Sequence, residues 1–207
     1  MNRNSPEPSA QRSTREAVRR ARQEAYRSLI LDAALRVFAE RGYGEAKVQE
    51  IAEAAGVATG TVYAIFPGKQ ELYRAVHRAN LEELARRYAE VPADGPVPEV
   101  LLARSAASTR FLTERPDYLR VYLSEAGHWG FDAGELPPGA AAFLDPDLYR
   151  RGVEEGSLRD EDPEVLQSLA MSAGQVHLFH WLKAGAREPA DALIARIHEH
   201  YRRALFV

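Results

Sequence analysis

Residues 47–71 read KVQEIAEAAGVATGTVYAIFPGKQE, and what their side chains offer is recognition rather than catalysis. Thr59, Gly60, Thr61, Tyr63 and Ala64 surround Val62 and Ile65, whose i, i+3 spacing gives a short helix one apolar side. The outward side is then small and hydroxyl-bearing. Thr59 and Thr61 can exchange hydrogen bonds with base edges. Gly60 and Ala64 allow close approach to a groove and apolar contact with thymine methyl groups. Lys47 precedes this helix by one element, where a cation would lie beside a nucleic-acid backbone. Val62 and Phe66 read as core.

The elements that must position these side chains follow from the same stretch. Ile51, Ala52 and Ala55 make the apolar side of a first short helix. Gly56 stands where the chain turns sharply and a positive φ is needed. Ala52 is small enough to let two helices approach, and Val62 fills the gap between them. This is the spacing of a helix-turn-helix, in which one helix braces and the next enters the major groove.

With the helix before it, the stretch resembles the TetR family of bacterial one-component regulators. The resemblance covers residues 30–76, ILDAALRVFAERGYGEAKVQEIAEAAGVATGTVYAIFPGKQELYRAV. Its carriers are the AAGV turn, the GTVY opening of the reading helix, and Phe66, Lys69 and Leu72 spaced as F-x-x-K-x-x-L. It implies that Tyr63 and Lys69 each contact a DNA phosphate. It also implies a homodimer, a four-helix interface from two helices per subunit, and a variable effector domain over the rest of the chain. Three departures stand out. Lys47 replaces a frequent Thr, Gln49 replaces a frequent Arg, and Ala64 and Ile65 stand where larger polar or aromatic residues are common. The groove-facing side is therefore less polar than usual.

Composition sets the frame. The chain has 207 residues, 45% of them hydrophobic, enough for one small reading domain and a larger bundle. Ala, Leu, Arg and Glu dominate and strand-like alternation is nearly absent, so the fold class expected is all-α. There is no cysteine, hence no disulfide or thiolate site. No apolar run approaches the roughly 18 residues of a membrane span, and residues 1–14 lack a leader's apolar core. A cytoplasmic location away from membranes is expected. The net charge of −3 hides an asymmetry: residues 1–80 hold 13 Lys and Arg against 9 Asp and Glu, and the remainder 14 against 21. A basic first third on an acidic body suits a DNA reader joined to something else.

Three regions follow. Residues 1–27 are expected to be a flexible basic arm, in which Arg15, Arg19 and Arg22 share a face at helical spacing and could meet phosphates. Residues 28–74 form the three-helix reading domain. Residues 75–207 form a helical bundle for effector binding and dimerisation. In that bundle Phe111, Tyr118, Tyr122, Trp129, Phe143, His177 and Trp181 are the candidate lining of an apolar ligand site, with Phe131 beside Trp129 at its mouth. His177 and His180, with His128, are the best metal candidates, but no metal motif accompanies them, and neither a metal nor a cofactor is expected. Residues 163–205 present Val165, Leu169, Ser172, Val176 and Phe179, then Leu193, Ile194, Ile197, Tyr201 and Leu205, as a dimer surface. The function expected is a DNA-binding transcriptional regulator, a repressor released from double-stranded operator DNA by a small apolar or aromatic molecule. The alternative is a structural DNA-binding protein without an effector. An enzyme is not expected, because no nucleophile, phosphate-loop or metal motif is present.

Overall fold

The computed structural model describes residues 9–124 and 145–207. Among these residues there is no strand, and one antiparallel bridge pairs Leu158 with Phe206. The chain divides into two compact units, Met1–Val76 and His77–Val207.

The first unit is built on α1 (Ser9–Glu45), α2 (Val48–Ala54), α3 (Thr59–Ile65) and the start of α4 (Lys69–Ala89). In α1, Ile30, Ala33, Ala34, Val37 and Phe38 are buried. That is the i, i+3, i+4, i+7, i+8 stripe of an amphipathic helix. Helix α1 starts at Ser9 rather than near residue 28, so residues 9–27 are helical where the sequence suggests a flexible arm. The physical reason lies in composition. Residues 9–27 contain no Gly or Pro, and a helix seeded by a buried stripe extends through good helix formers until something stops it. Arg15, Arg19, Arg20 and Arg22 lie exposed along it. Gly42, at φ 73°, breaks α1 near its other end. Gly56, at φ 67°, makes the turn between α2 and α3, the conformation its position requires.

The second unit takes the rest of α4, then α5 (Val97–Thr113), α6 (Pro116–Ser124), α7 (Pro146–Glu154), α8 (Pro163–Lys183) and α9 (Ala190–Ala204). Helix α5 is central and packs against α6, α7, α8 and α9. Its own Val97, Val100, Leu101, Phe111 and Leu112 are buried, as are Leu119, Leu148, Leu166, Leu178, Leu193, Ile197 and Leu205 around it. Two helices start on matching caps. Asp145 accepts from the Leu148 amide at 3.1 Å ahead of Pro146, and Asp162 accepts from the Glu164 amide at 2.8 Å ahead of Pro163. An acidic cap followed by proline satisfies an orphan donor and presets φ.

Helix α7 lies close to its neighbours because Gly152 has no side chain. A Cβ there would sit 2.6 Å from Leu158 Cγ and 2.8 Å from Val97 Cγ1, both in buried residues. Gly152→Ala should therefore lower stability by about 1–3 kcal/mol despite alanine's better helix propensity. A urea melt of the full chain checks this. A rise in midpoint would mean that the helices separate without cost.

Candidate functional site

The reading helix is fixed from beneath. Val62 and Phe66 are 1% and 3% exposed, and the Arg27 guanidinium lies 4.8 Å from the centre of the Phe66 ring. The opposite side is open: Gly60 and Ala64 are exposed, Tyr63 is 49% exposed, and Thr59 and Thr61 are half-buried. A Cβ at Gly60 would meet nothing within 4 Å, so this glycine leaves room in front of the helix. Lys47 is exposed at the start of α2, where its backbone amide donates to Glu50 Oε2 at 3.2 Å. Thr59, Gly60, Thr61, Tyr63, Ala64 and Lys47 thus all belong to the first unit's α2–α3 pair.

Lys69 is placed differently from its expected phosphate role. Its ammonium donates to the carbonyls of Tyr43, Gly44 and Ala46 at 2.7, 3.0 and 3.1 Å. It also lies 4.6 Å from the centre of the Tyr43 ring. An ammonium has three N–H donors, and all three are engaged. The side chain serves the carbonyls at the end of α1, where a cation suits the helix dipole. Tyr43, Phe38 and Tyr73 stack edge to face beside it, with Tyr73 at 5.0 Å from Phe38 and 4.8 Å from Tyr43.

In the second unit Phe111, Tyr118 and Tyr122 of the expected ligand-lining residues adjoin one another. Trp129, Phe143, Phe131 and His128 lie outside the described residues. Phe111 and Tyr118 are 0% and 1% exposed and pack against each other at 6.0 Å. Phe111 is also faced by Arg115 and Arg87 at 4.4 and 5.3 Å. These two rings fill the core. His77, buried beside the Tyr118 hydroxyl, is pushed down to about 4 by desolvation, so it is neutral near pH 7. Trp181 Nε1 donates to the Glu188 carbonyl at 2.8 Å, which ties down the turn after α8. His177 faces His200 of α9 at 5.7 Å, and burial followed by His200 lowers its pKa. Among the described residues no group of three or more His, Cys, Asp or Glu is arranged to hold a metal.

Tyr122 faces a polar interior. Burial raises its hydroxyl pKa, against a hydrogen bond with Gln175 of α8. Of the other members of this interior, Tyr201 is expected at the dimer surface and the rest are not singled out by the sequence. Tyr88, Tyr149 and Tyr201 come from α4, α7 and α9 towards Arg104, Ser105 and Ser108 of α5. Burial pushes the Tyr88 and Tyr149 hydroxyls up strongly and that of Tyr201 up to about 12, so all stay neutral. The Tyr88 hydroxyl and Ser108 share a hydrogen bond. Arg104 Nη1 donates to Asp145 Oδ2 at 2.8 Å. One signal does point to them: Ser108 lies one helical turn beyond the adjacent Arg104 and Ser105 in a segment otherwise rich in Leu, Ala and Val.

An exposed reading helix on a braced partner, joined to a separate helical body, defines a helix-turn-helix DNA-binding regulator. Comparison with known proteins agrees. Residues 30–76 match the model of bacterial regulatory proteins of the tetR family. The chain is 31% identical over 147 residues to the HTH-type transcriptional repressor Rv1474c of Mycobacterium tuberculosis, covering 67% of this chain and 72% of that one. It is 28% identical over 172 residues to the repressor KstR2 of Mycolicibacterium smegmatis, covering 80% and 83%. Among solved structures, FadR of Bacillus subtilis in complex with stearoyl-CoA superposes with a TM-score of 0.70 at 20% identity, covering 83% of this chain and 95% of that one. The chain belongs to the tetR family of bacterial regulatory proteins, and it is a DNA-binding transcriptional regulator. No helix among the described residues is long and apolar enough to cross a membrane.

The Lys69 geometry generates a test. Lys69→Met keeps the apolar stem but leaves three carbonyls without their donor. It should lower stability by about 1–3 kcal/mol, read as a shifted denaturation midpoint without DNA. An unchanged midpoint would return the ammonium to the phosphate role.

Proposed function

We propose that this protein is a homodimeric repressor that releases operator DNA when a small apolar molecule enters its body. The observation that carries the DNA half is the open side of α3, where Gly60, Tyr63 and Ala64 stand exposed over a buried Val62. Thr59 and Thr61 exchange hydrogen bonds with bases. The Tyr63 hydroxyl and Lys47 hold phosphates, and the exposed arginines of residues 15–22 add backbone charge. Lys69 acts through the helix end that its ammonium holds rather than by contacting a phosphate.

The dimer surface is narrower than the full span 163–205. On α8, Val165, Leu169, Val176 and Phe179 are 44%, 48%, 56% and 50% exposed. They recur at i, i+4, i+11 and i+14, one stripe of an uncovered apolar face. On α9, by contrast, Leu193, Ile194, Ile197 and Tyr201 are buried within their own protomer. Those four are intrachain core, because α9 turns its apolar side to α5 and α8. A second copy covering the α8 stripe gives a two-fold dimer with two reading helices roughly 34–36 Å apart, one turn of DNA.

The effector half rests on the polar interior around α5 and on the relatives. One is a B. subtilis FadR solved with stearoyl-CoA, and another is described as a ketosteroid transcriptional regulator of M. tuberculosis. Effector binding favours a state in which the two reading helices no longer match adjacent grooves. A differential affinity of about 1–3 kcal/mol between the states suffices. Helix α4 runs from the first unit into the second and is the element through which that difference is transmitted. A purely structural DNA-binding role fits less well a body that encloses so many polar groups.

Two measurements test this reading. In fluorescence-anisotropy titrations, Tyr63→Phe should weaken binding to specific and non-specific duplexes alike, by about three- to tenfold, the worth of one modest hydrogen bond. Thr61→Ala should instead change which operator bases are preferred. Equal effects of the two substitutions on all sequences would remove Thr61 from base reading. For the dimer, Val176→Glu places an unpaired charge on the proposed interface, a cost of several kcal/mol if buried there. It should give a folded monomer by light scattering, whereas Leu193→Glu should unfold the protomer. A Val176→Glu dimer of undiminished affinity would place the interface elsewhere.

A further inference from the structure

Arg27 closes the buried stripe of α1. Ile30, Ala34 and Phe38 follow it at i+3, i+7 and i+11 and are buried, while Arg27 itself is half-buried. On the other side of it, Gln23 and Arg20 continue the same face in the open. A long stem suits that place, because its methylenes cover the edge of a core while the charged head stays at the rim. The head lies over Phe66, 4.8 Å from the ring centre. Phe66 is the capping residue at the end of the reading helix, and its amide donates to the Val62 carbonyl at 2.8 Å. The guanidinium is thus fixed beside the last turn of α3.

This contact fixes the charge without neutralising it. Attraction to a ring face uses no acceptor atom, so the five N–H donors of the guanidinium still need acceptors. Among the described residues, Arg27 makes no hydrogen bond and has no carboxylate within 4.0 Å. Other arginines of the first unit are paired: Arg20 lies 3.8 Å from Glu16, Arg41 3.8 Å from Glu50, and Arg74 2.9 Å from Glu71. Lys69, which follows Phe66 closely in the chain, engages its donors on three carbonyls. Arg27 is therefore a cation at this end of α3 that still has donors to offer. A guanidinium already held on a ring loses little freedom on gripping an anion, and its fork matches two oxygens of a phosphate.

Resting on the reading of α3 as the helix that enters the groove, we propose that Arg27 binds a backbone phosphate of operator DNA beside the end of α3. The Phe66 ring positions the guanidinium for that contact. The contact carries no base information and fixes how the reading helix sits on the duplex. A dimer makes it twice, once in each half-site.

The test uses the full-length chain and two duplexes of about three helical turns. One is selected from a random pool by the wild-type protein, and the other has a scrambled sequence. Affinity is followed by fluorescence anisotropy between about 50 and 200 mM salt, with melts of the free protein in parallel. Arg27→Met leaves an apolar stem on Phe66 and removes the charge. It should weaken binding to both duplexes alike, by about tenfold or more. For the selected duplex it should lower the slope of log affinity against log salt by about two, roughly 0.9 for each phosphate lost in the dimer. Arg27→Gln should match it, and Arg27→Lys, which keeps the charge, should keep the wild-type slope. Ethylation of single phosphates locates the contact: one modified phosphate in each half-site should hinder the wild type and make no difference to Arg27→Met. A role confined to packing gives another pattern, with a lowered melting midpoint, affinity lost only for the selected duplex, and the slope retained. That pattern, an unchanged slope in both Arg27→Met and Arg27→Gln, or failure of both to fold would overturn the proposal. The expected slope loss, with Tyr63→Phe and Thr61→Ala without effect on either duplex, would uphold Arg27 and remove α3 from the groove. Effects of those two substitutions without any from Arg27→Met would overturn Arg27 alone and leave the reading helix standing.

Discussion

The first unit depends on a single ammonium. Helix α1 is broken at Gly42, and a run of backbone carbonyls lies just beyond the break. Lys69, from the first position of α4, meets three of them. The α2–α3 pair is strung between these two anchored points, so its position relative to α1 is set by how firmly they are joined. The Tyr73 ring packs edge to face on Phe38 and Tyr43 at the same junction, where charge-assisted hydrogen bonds add to the packing. A recognition surface made of small residues needs this. Gly60 and Ala64 contribute shape rather than long adjustable side chains, so errors in helix placement are not absorbed at the contact.

The second unit is organised on the opposite principle. Its central helix α5 is apolar at both ends and polar through its middle, and neighbouring helices send tyrosines to that middle. A core of this size would be more stable filled with Leu and Val. Buried hydroxyls and a guanidinium are kept only against the penalty of desolvation, and only when they have a role to fill. Rigidity therefore belongs to the unit where shape is matched, and unsatisfied polarity to the unit where something must be accommodated.

How far the sequence carries follows from the same contrast. The turn at Gly56, the buried Val62 and the exposed Gly60, Tyr63 and Ala64 are readable because a short helix-turn-helix leaves one packing solution for that spacing. Asp162 before Pro163 announces its helix start for a similar local reason. The beginning of α1 is not readable in this way, since exposed arginines resemble a solvated arm whether or not the backbone is helical. Family resemblance gives Lys69 a phosphate, and only three-dimensional proximity shows its carbonyl partners 23 to 26 residues away. In the body the periodicity is nearly uninformative. Helix α8 is apolar almost all round, so nothing in its pattern separates the buried Leu178 and Trp181 from the exposed Val176 and Phe179. Tyr149 is inconspicuous because it stands among charged neighbours that elsewhere mark a surface.

Asp145 has a standing that its sequence context does not announce. One oxygen holds the first turn of α7, and the other neutralises Arg104. A change at this position is therefore felt twice, once as a helix start and once as a local charge. Residues that lack a short acceptor forfeit the first role whatever they do to the second. Of the many routes by which a population of such chains could drift towards new chemical signals, only a narrow one passes through this residue, and it runs through asparagine, serine or threonine. The coupling of fold and charge in one carboxylate acts as a ratchet on divergence, holding the polarity of the interior steady while the apolar walls around it remain free to vary.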